Sequence, residues 1–204
     1  GGVGRTVMLH AEGYPVNSFF LYEQVYDENN NPVPGEYVDR NHDGVIGDKD
    51  KYISKKPTPD LILGFHSDLK YRAFGLSFSA RVWSGNSVYN NVASYHNSDE
   101  WLYPGLPYLQ NITTQYDSHL SLSEQYSDHY LEDASFFKLD HLTFSYEVPE
   151  SLTRKVNLDL YLSVQNALTI TDYKGLDPEV PSGIDYLQYP RPRVFRLGVT
   201  ADIK

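Results

Sequence analysis

In the last ten residues of the chain, Phe195, Leu197, Val199, Ala201 and Ile203 alternate with Arg196, Gly198, Thr200 and Asp202. A period of two puts the two sets on opposite faces of an extended strand, one apolar and one polar. The pattern recurs upstream. Leu158, Leu160, Leu162 and Val164 alternate with Asp159, Tyr161, Ser163 and Gln165. Phe74, Leu76, Phe78, Ala80 and Val82 alternate with Gly75, Ser77, Ser79 and Arg81. Leu61, Leu63, Phe65, Leu69 and Tyr71 form a further apolar set, as do Leu142, Phe144, Tyr146 and Val148. The stretch 13–26 is a weaker, aromatic-rich version. Six strands are predicted, at about 14–26, 60–71, 74–84, 135–148, 157–170 and 193–203, and no segment of useful length has a helical period. The expected class is all-β and antiparallel.

The connections alternate in length. Strands two and three are joined through Arg72-Ala73, and strands four and five through 149–155. The other connections are long, at about 27–59, 85–134 and 171–192. In an antiparallel meander this collects every long loop at one end and every short turn at the other. Outer-membrane barrels have that asymmetry, whereas structureless loops of this length count against a compact soluble domain. Alternation by itself fits a β-sandwich with one exposed face equally well. Six strands do not close a barrel, since eight is about the smallest common number. Aromatics near strand ends (Phe19, Phe20, Tyr22, Tyr71, Trp83, Tyr89, Phe136, Phe137, Tyr146) suit an interfacial girdle.

Charge follows the same division. The 204 residues carry a net charge of -10. All of it lies in two stretches: 27–60 has eight acidic and five basic residues, and 84–135 has seven acidic residues with no Lys or Arg. Such a chain lacks the electrostatic footprint of a DNA or RNA binder. With no cysteine, disulfides and thiolate metal sites are excluded. The mean hydropathy of -0.49 and the lack of a long apolar run argue against a transmembrane helix. They do not argue against strands whose alternation dilutes hydropathy. Gly1-Gly2-Val3-Gly4 has neither the charged nor the apolar region of a signal peptide, so a processed chain or a fragment is expected.

The most specific chemical motif is the stretch 39–50, Asp39-Arg40-Asn41-His42-Asp43-Gly44-Val45-Ile46-Gly47-Asp48-Lys49-Asp50. It fits the calcium-loop pattern D-x-[DN]-x-[DN]-G. Asp39, Asn41 and Asp43 would supply side-chain oxygens, Val45 a backbone carbonyl, and Asp50 the last carboxylate, with Gly44 at the sharp turn. An all-oxygen set of this kind suits calcium. Asp at the last position reaches less far than Glu, which lowers the expected affinity. The plainer reading is a turn held by Asp and Asn side chains on backbone N–H groups. The flanks are strands and loops, so calcium here would be a structural clip.

The long stretch 84–135 holds Trp101 and seven tyrosines among amides and carboxylates. Trp101, Tyr95, Tyr103, Tyr108 and Asn97 are the candidates for contact with a substrate or partner; packing of the loop on itself is the competing reading. The seven histidines have no metal-ligand spacing. The acidic pairs Asp99-Glu100 and Glu132-Asp133 are adjacent residues rather than two carboxylates across a cleft. No catalytic residue is assigned, and a glycoside hydrolase is the weakest reading.

Four stretches together resemble the C-terminal barrel segment of SusC/RagA-type TonB-dependent outer-membrane transporters of Bacteroidetes. They are Gly13-Tyr14-Pro15-Val16-Asn17-Ser18-Phe19-Phe20-Leu21-Tyr22; the stretch 39–50 followed by Pro57-Thr58-Pro59-Asp60; Phe136-Phe137-Lys138-Leu139-Asp140-His141-Leu142-Thr143-Phe144-Ser145-Tyr146; and Leu160-Tyr161-Leu162-Ser163-Val164-Gln165-Asn166-Ala167-Leu168-Thr169 with Tyr173-Lys174-Gly175-Leu176-Asp177-Pro178-Glu179-Val180. They span most of the chain in the family's order. His42 replaces a usual glycine, and Asp202-Ile203-Lys204 stands where such barrels end on an aromatic residue.

The resemblance implies that residues 1–204 are the C-terminal part of one 22-stranded barrel domain in the outer membrane, facing lipid. The plug, the TonB-contacting part and the earlier strands then lie elsewhere. It further implies long loops outside the cell, a SusD-like lipoprotein as lid, and import of oligosaccharides or peptides. The rival is a soluble secreted calcium-stabilised carbohydrate-binding β-domain.

Overall fold

The computed structural model describes residues 5–97, 113–114, 125–153 and 156–203. In chain order the strands are β1 (Met8–Leu9), β2 (Ser18–Leu21), β3 (Gln24–Tyr26), β4 (Pro32–Tyr37), β5 (Tyr52–Ile53), β6 (Leu61–Tyr71) and β7 (Phe74–Ser84). They continue with β8 (Ser87–Tyr89), β9 (Leu131–Asp133), β10 (Phe136–Val148), β11 (Val156–Thr171) and β12 (Val194–Ile203). Among the described residues, two short helices, α1 (Asn91–His96) and α2 (Glu150–Thr153), and two 3-10 turns complete the regular structure. The chain divides into two compact units.

One unit is a five-stranded antiparallel sheet in the order β12-β11-β10-β7-β6. These are five of the six predicted strands, with ends within two residues of those expected. The rows Leu61–Ser84, Trp83–Phe136 and Phe136–Thr171 mark one end of the sheet, from which the long connections leave. The opposite end carries the tight turn at Arg72-Ala73, with Arg72 in the left-handed region at φ 55°, and the turn holding α2. Directly opposed residues share a face. One face thus collects Leu69, Leu76, Phe144 and Leu162 with Leu197. The other collects Arg81, Ser79, His141, Thr143, Ser163 and Arg196.

A β-bulge interrupts the register at one level. Leu139 pairs with Ala80 and His141 with Ser79, so Asp140 is an extra residue relative to β7. On the other side Leu139 pairs with Leu168 and His141 with Gln165, which sets Asn166 and Ala167 against Asp140. Asn166 takes φ 50° there. Bulges of this kind re-aim a side chain and increase local twist.

The second unit comprises the described parts of Gly1–Pro59, Gly85–Ala134 and Tyr173–Tyr189. It has a core of its own, formed by Val7, Met8, Phe19, Leu21, Tyr89, Ala93, Tyr130, Leu131 and Ile184. All three segments contribute described residues to it. Fully burying a side chain such as Phe19 or Leu21 contributes roughly 1.5–3 kcal/mol. Tyr89 has no exposed surface and packs edge-on to Tyr130, centroids 6.4 Å apart. Its hydroxyl accepts the Tyr126 N–H at 3.0 Å, and burial pushes its pKa up to about 12.

The expected strand at 14–26 is not part of the large sheet. Its residues form β2, between β1 and β5, and β3, paired with β4. Ser18, Phe19 and Leu21 are all buried, so β2 is covered on both faces and does not alternate. Phe19, Tyr22 and Tyr89 accordingly lie in the core of this unit and not in a girdle at strand ends. The predicted lack of helix gives way to α1 and α2, both too short to show a period.

Candidate functional site

The stretch 39–50 folds as a loop organised by its own carboxylates. Asp39 accepts the N–H groups of His42 and Gly44 at 2.7 and 2.8 Å. Asn41 Oδ1 accepts the Asp43 N–H at 2.9 Å, and Asp43 Oδ1 the Val45 N–H at 2.9 Å. Asn41 Nδ2 donates to Asp43 Oδ2 at 2.9 Å. His42 and Gly44 lie in the left-handed region, at φ 60° and 79°, which Gly adopts without strain. Asp43, Val45 and Ile46 are exposed.

Asp50 behaves differently. It is fully buried, Oδ2 accepting the Gly47 N–H at 2.8 Å and Oδ1 those of Arg40 and Asn41 at 3.1 and 3.3 Å. These bonds, the one from Gly47 foremost, hold its carboxyl below the ordinary carboxylate value. Asp50 is thus a backbone hub that closes the loop.

The donor set fits calcium by chemistry, being all oxygen, and the side chains of Asp39, Asn41 and Asp43 already belong to one turn. Asp50 fits less well, because its carboxylate is committed to three N–H groups. Among the described residues, no three His, Cys, Asp or Glu side chains converge as a ready-made metal group.

Lys51, next in sequence, is buried. Its Nζ lies 3.0 Å from Asp48 and 3.3 Å from the Thr6 carbonyl, and 5.0 Å from the centre of the Tyr22 ring.

Of the aromatic contact candidates, Trp101, Tyr103 and Tyr108 lie outside the described residues. Tyr95 is exposed on α1, edge-on to His96 at 5.1 Å. Asn97 is buried; its N–H donates to the Ala93 carbonyl at 3.0 Å and caps α1, while its side-chain oxygen accepts the Thr113 hydroxyl. A third feature joins Tyr173, from one of the four resembling stretches, to Asp185, which no motif marks. Tyr173 donates to Asp185 at 2.7 Å in the interior of the loop unit, and burial followed by that carboxylate raises its pKa.

The sheet offers a second candidate surface. On its polar face Arg81 meets the bulge residue Asp140 through two bonds of 2.7 and 2.9 Å. Trp83 and Phe136 stack one row nearer the loop end, with centroids 5.3 Å apart. On the apolar face Leu197 is 82% exposed, Phe195 67% and Leu69 56%. A sheet in water buries such a face.

No protein-family model matches the chain. It is 40% identical over 98% of its length to the TonB-dependent receptor SusC of Bacteroides thetaiotaomicron. It is 29% identical over 96% of its length to the TonB-dependent receptor P3 of Formosa agariphila. It covers only 20% and 23% of those two proteins.

Among solved structures, the RagAB peptide transporter matches with a TM-score of 0.69 at 23% identity, over 97% of this chain and 24% of that one. The RagAB peptide importer in its open-open state matches at 0.66 and 24%, over 97% of this chain and 23% of that one. At that identity the likeness is one of fold. Sequence and fold agree: the chain belongs to the SusC/RagA type of TonB-dependent receptor, and spans about a fifth of its 40%-identical relative SusC.

Proposed function

We propose that this chain is part of the wall and outer loops of an outer-membrane TonB-dependent importer of oligosaccharides or peptides. The observation that carries the reading is the exposed apolar face of the five-stranded sheet. Lipid solvates such a face, while the polar face lines an aqueous interior. Strand lengths support it: β12 has 10 residues and β6 and β7 have 11 each, against about 9–11 for a tilted membrane-spanning strand, while β10 and β11, with 13 and 16, are long enough to span and extend beyond it. Both edge strands, β6 and β12, would pair with further strands of a closed barrel, since open edges are not tolerated in lipid. The loop unit then lies on the cell surface, where it would meet cargo and a SusD-like lipoprotein lid. TonB would act through parts of the protein outside these residues. The chain supplies wall and loops and no catalytic group.

Within the same reading, the loop 39–50 takes calcium as a structural clip, through Asp39, Asn41, Asp43 and the Val45 carbonyl.

The test uses the full-length protein. It should purify only in detergent and migrate as a heat-modifiable barrel. Cells lacking it should lose growth on a polymeric glycan or peptide source, and a TonB-deficient strain should share the defect. Full-length protein that is freely soluble without detergent would refute the reading.

A further inference from the structure

The polar face of the sheet carries an aromatic feature that a water-filled wall does not require. Ile62, Trp83, Phe136 and Thr171 form one cross-strand row at the loop end. Phe136 is buried, and the partly exposed Trp83 ring stacks on it with an interplanar angle of 30°. The next row runs Gly64, Arg81, Lys138 and Thr169. A Cβ added at Gly64 would meet nothing within 4 Å, so this part of the face is open. A hollow of about 290 Å³ lies at this end of the sheet, lined by residues of both faces: Trp83, Phe136 and Thr171 of the polar one, and Val82, Phe137 and Ile170 of the apolar one. It marks the rim of the sheet, just below the ~300–1,000 Å³ typical of small-ligand sites, and the flat surface on the polar face is the stacked pair itself.

We propose that Trp83, backed by Phe136, is a stacking platform for a neutral sugar ring on the polar face of the wall. The proposal rests on the importer reading and narrows its cargo to oligosaccharide. Two properties select that class. A flat indole fixed from behind presents an apolar face matched to the C–H side of a pyranose, at little cost in side-chain entropy.

The charges around it also cancel. Arg81 is paired with Asp140, the Lys138 ammonium sits 4.9 Å from the centre of the Phe136 ring, and Asp172 is exposed at the rim. Two cations and two anions leave no net field to favour a charged ligand. They do supply the donors and acceptors that sugar hydroxyls need. Thr171 and Thr169 add hydroxyls on the same face.

The experiment uses the full-length transporter with its partner in detergent. Binding of uncharged hexasaccharides of glucose, mannose and xylose, and of an uncharged ten-residue peptide, is measured by calorimetry. At least one hexasaccharide should bind, and Trp83→Ala should weaken it about tenfold, as expected for loss of a well-packed stacking partner. Trp83→Tyr should stay within about threefold, because a flat ring remains. Heat-modifiable migration checks that each variant is folded, and saturation-transfer NMR on the wild type should show the sugar C–H protons against an aromatic surface.

Equal hexasaccharide affinity in wild type and Trp83→Ala overturns the platform. So does binding of the peptide without any of the sugars, an outcome that leaves the importer reading standing. Energy-dependent uptake of the same compounds by cells, measured in parallel, tests the importer reading on its own.

Discussion

Tyr161 on β11 stands directly opposite Gly198 on β12, and its ring occupies the space that a Cβ at position 198 would need. The pair is a fitted contact: the glycine makes a notch in one strand and the tyrosine fills it from the next. Gly198→Ala should therefore force the ring aside and cost about 1–3 kcal/mol, the usual range for overpacking. The double variant Tyr161→Ala with Gly198→Ala should recover at least about 0.5 kcal/mol relative to the sum of the single changes. The temperature at which the folded barrel band disappears on an unheated gel reads both effects. Strict additivity of the two substitutions would show that the notch is incidental.

The Arg81–Asp140 pair makes a sharper prediction, because Asp140 is a bulge as well as a partner. Asp140→Ala keeps the register and removes only the ion pair, whose side chains are about a third exposed. It should cost about 1 kcal/mol. Deleting Asp140 instead removes the extra residue. Leu139 and His141 then become neighbours, as their β7 partners Ala80 and Ser79 already are, so the side chains of β10 keep their faces and only the bulge is lost. The deletion should therefore still yield a folded, heat-modifiable band, as Asp140→Ala does. Loss of that band in the deletion alone would mean that the wall requires the bulge itself.

Most of the sheet was legible because its strands alternate over ten or more residues, long enough for one face to be lipid-like and the other wet. The bulge left a mark too. Leu139 and Leu142 are three residues apart, where unbroken alternation puts them two apart. The loop unit was not legible, because Val7, Phe19, Tyr89, Tyr130 and Ile184 reach one core from three distant segments and no local period connects them. Short strands there mimic alternation, which is why 14–26 reads as a wall strand when β2 is buried on both sides. In the loop 39–50 the motif predicts the roles of Asp39, Asn41 and Asp43 as turn formers or ligands equally. It does not predict that Asp50 is buried, because burial depends on the fold around it.

Calcium separates those two roles. If the loop takes the ion, titration of full-length protein should give one site per chain with a Kd on the order of 10⁻⁴ M, as in extracellular loop modules. Asp39→Ala and Asp43→Ala should each abolish the heat signal, since both remove a carboxylate that already sits in the turn. Asp48→Ala should leave it unchanged, because Asp48 pairs with Lys51 and lies outside the ligand set. A silent titration of folded protein would leave 39–50 as a hydrogen-bonded turn without metal.

Asp50 gives the loop a defined acid limit. Its native pKa lies below its ordinary value of 3.8 because the ionised form accepts the N–H groups of Gly47, Asn41 and Arg40, against the cost of burial. A carboxylate with a depressed native pKa stabilises the fold fully above its unfolded value. That contribution is lost as the pH falls through the lower native value. Hydrogen exchange of the segment 40–47, corrected for the intrinsic rate at each pH, should stay protected from neutral pH down to about 4 and then lose protection. Asp50→Asn should weaken protection at every pH and remove the acid transition, since an amide cannot ionise and its NH₂ group meets donors where the carboxylate met them with oxygen. Protection that persists unchanged well below pH 3 in the wild type would mean that another contact closes the loop. Asp50 would then be a passenger in it.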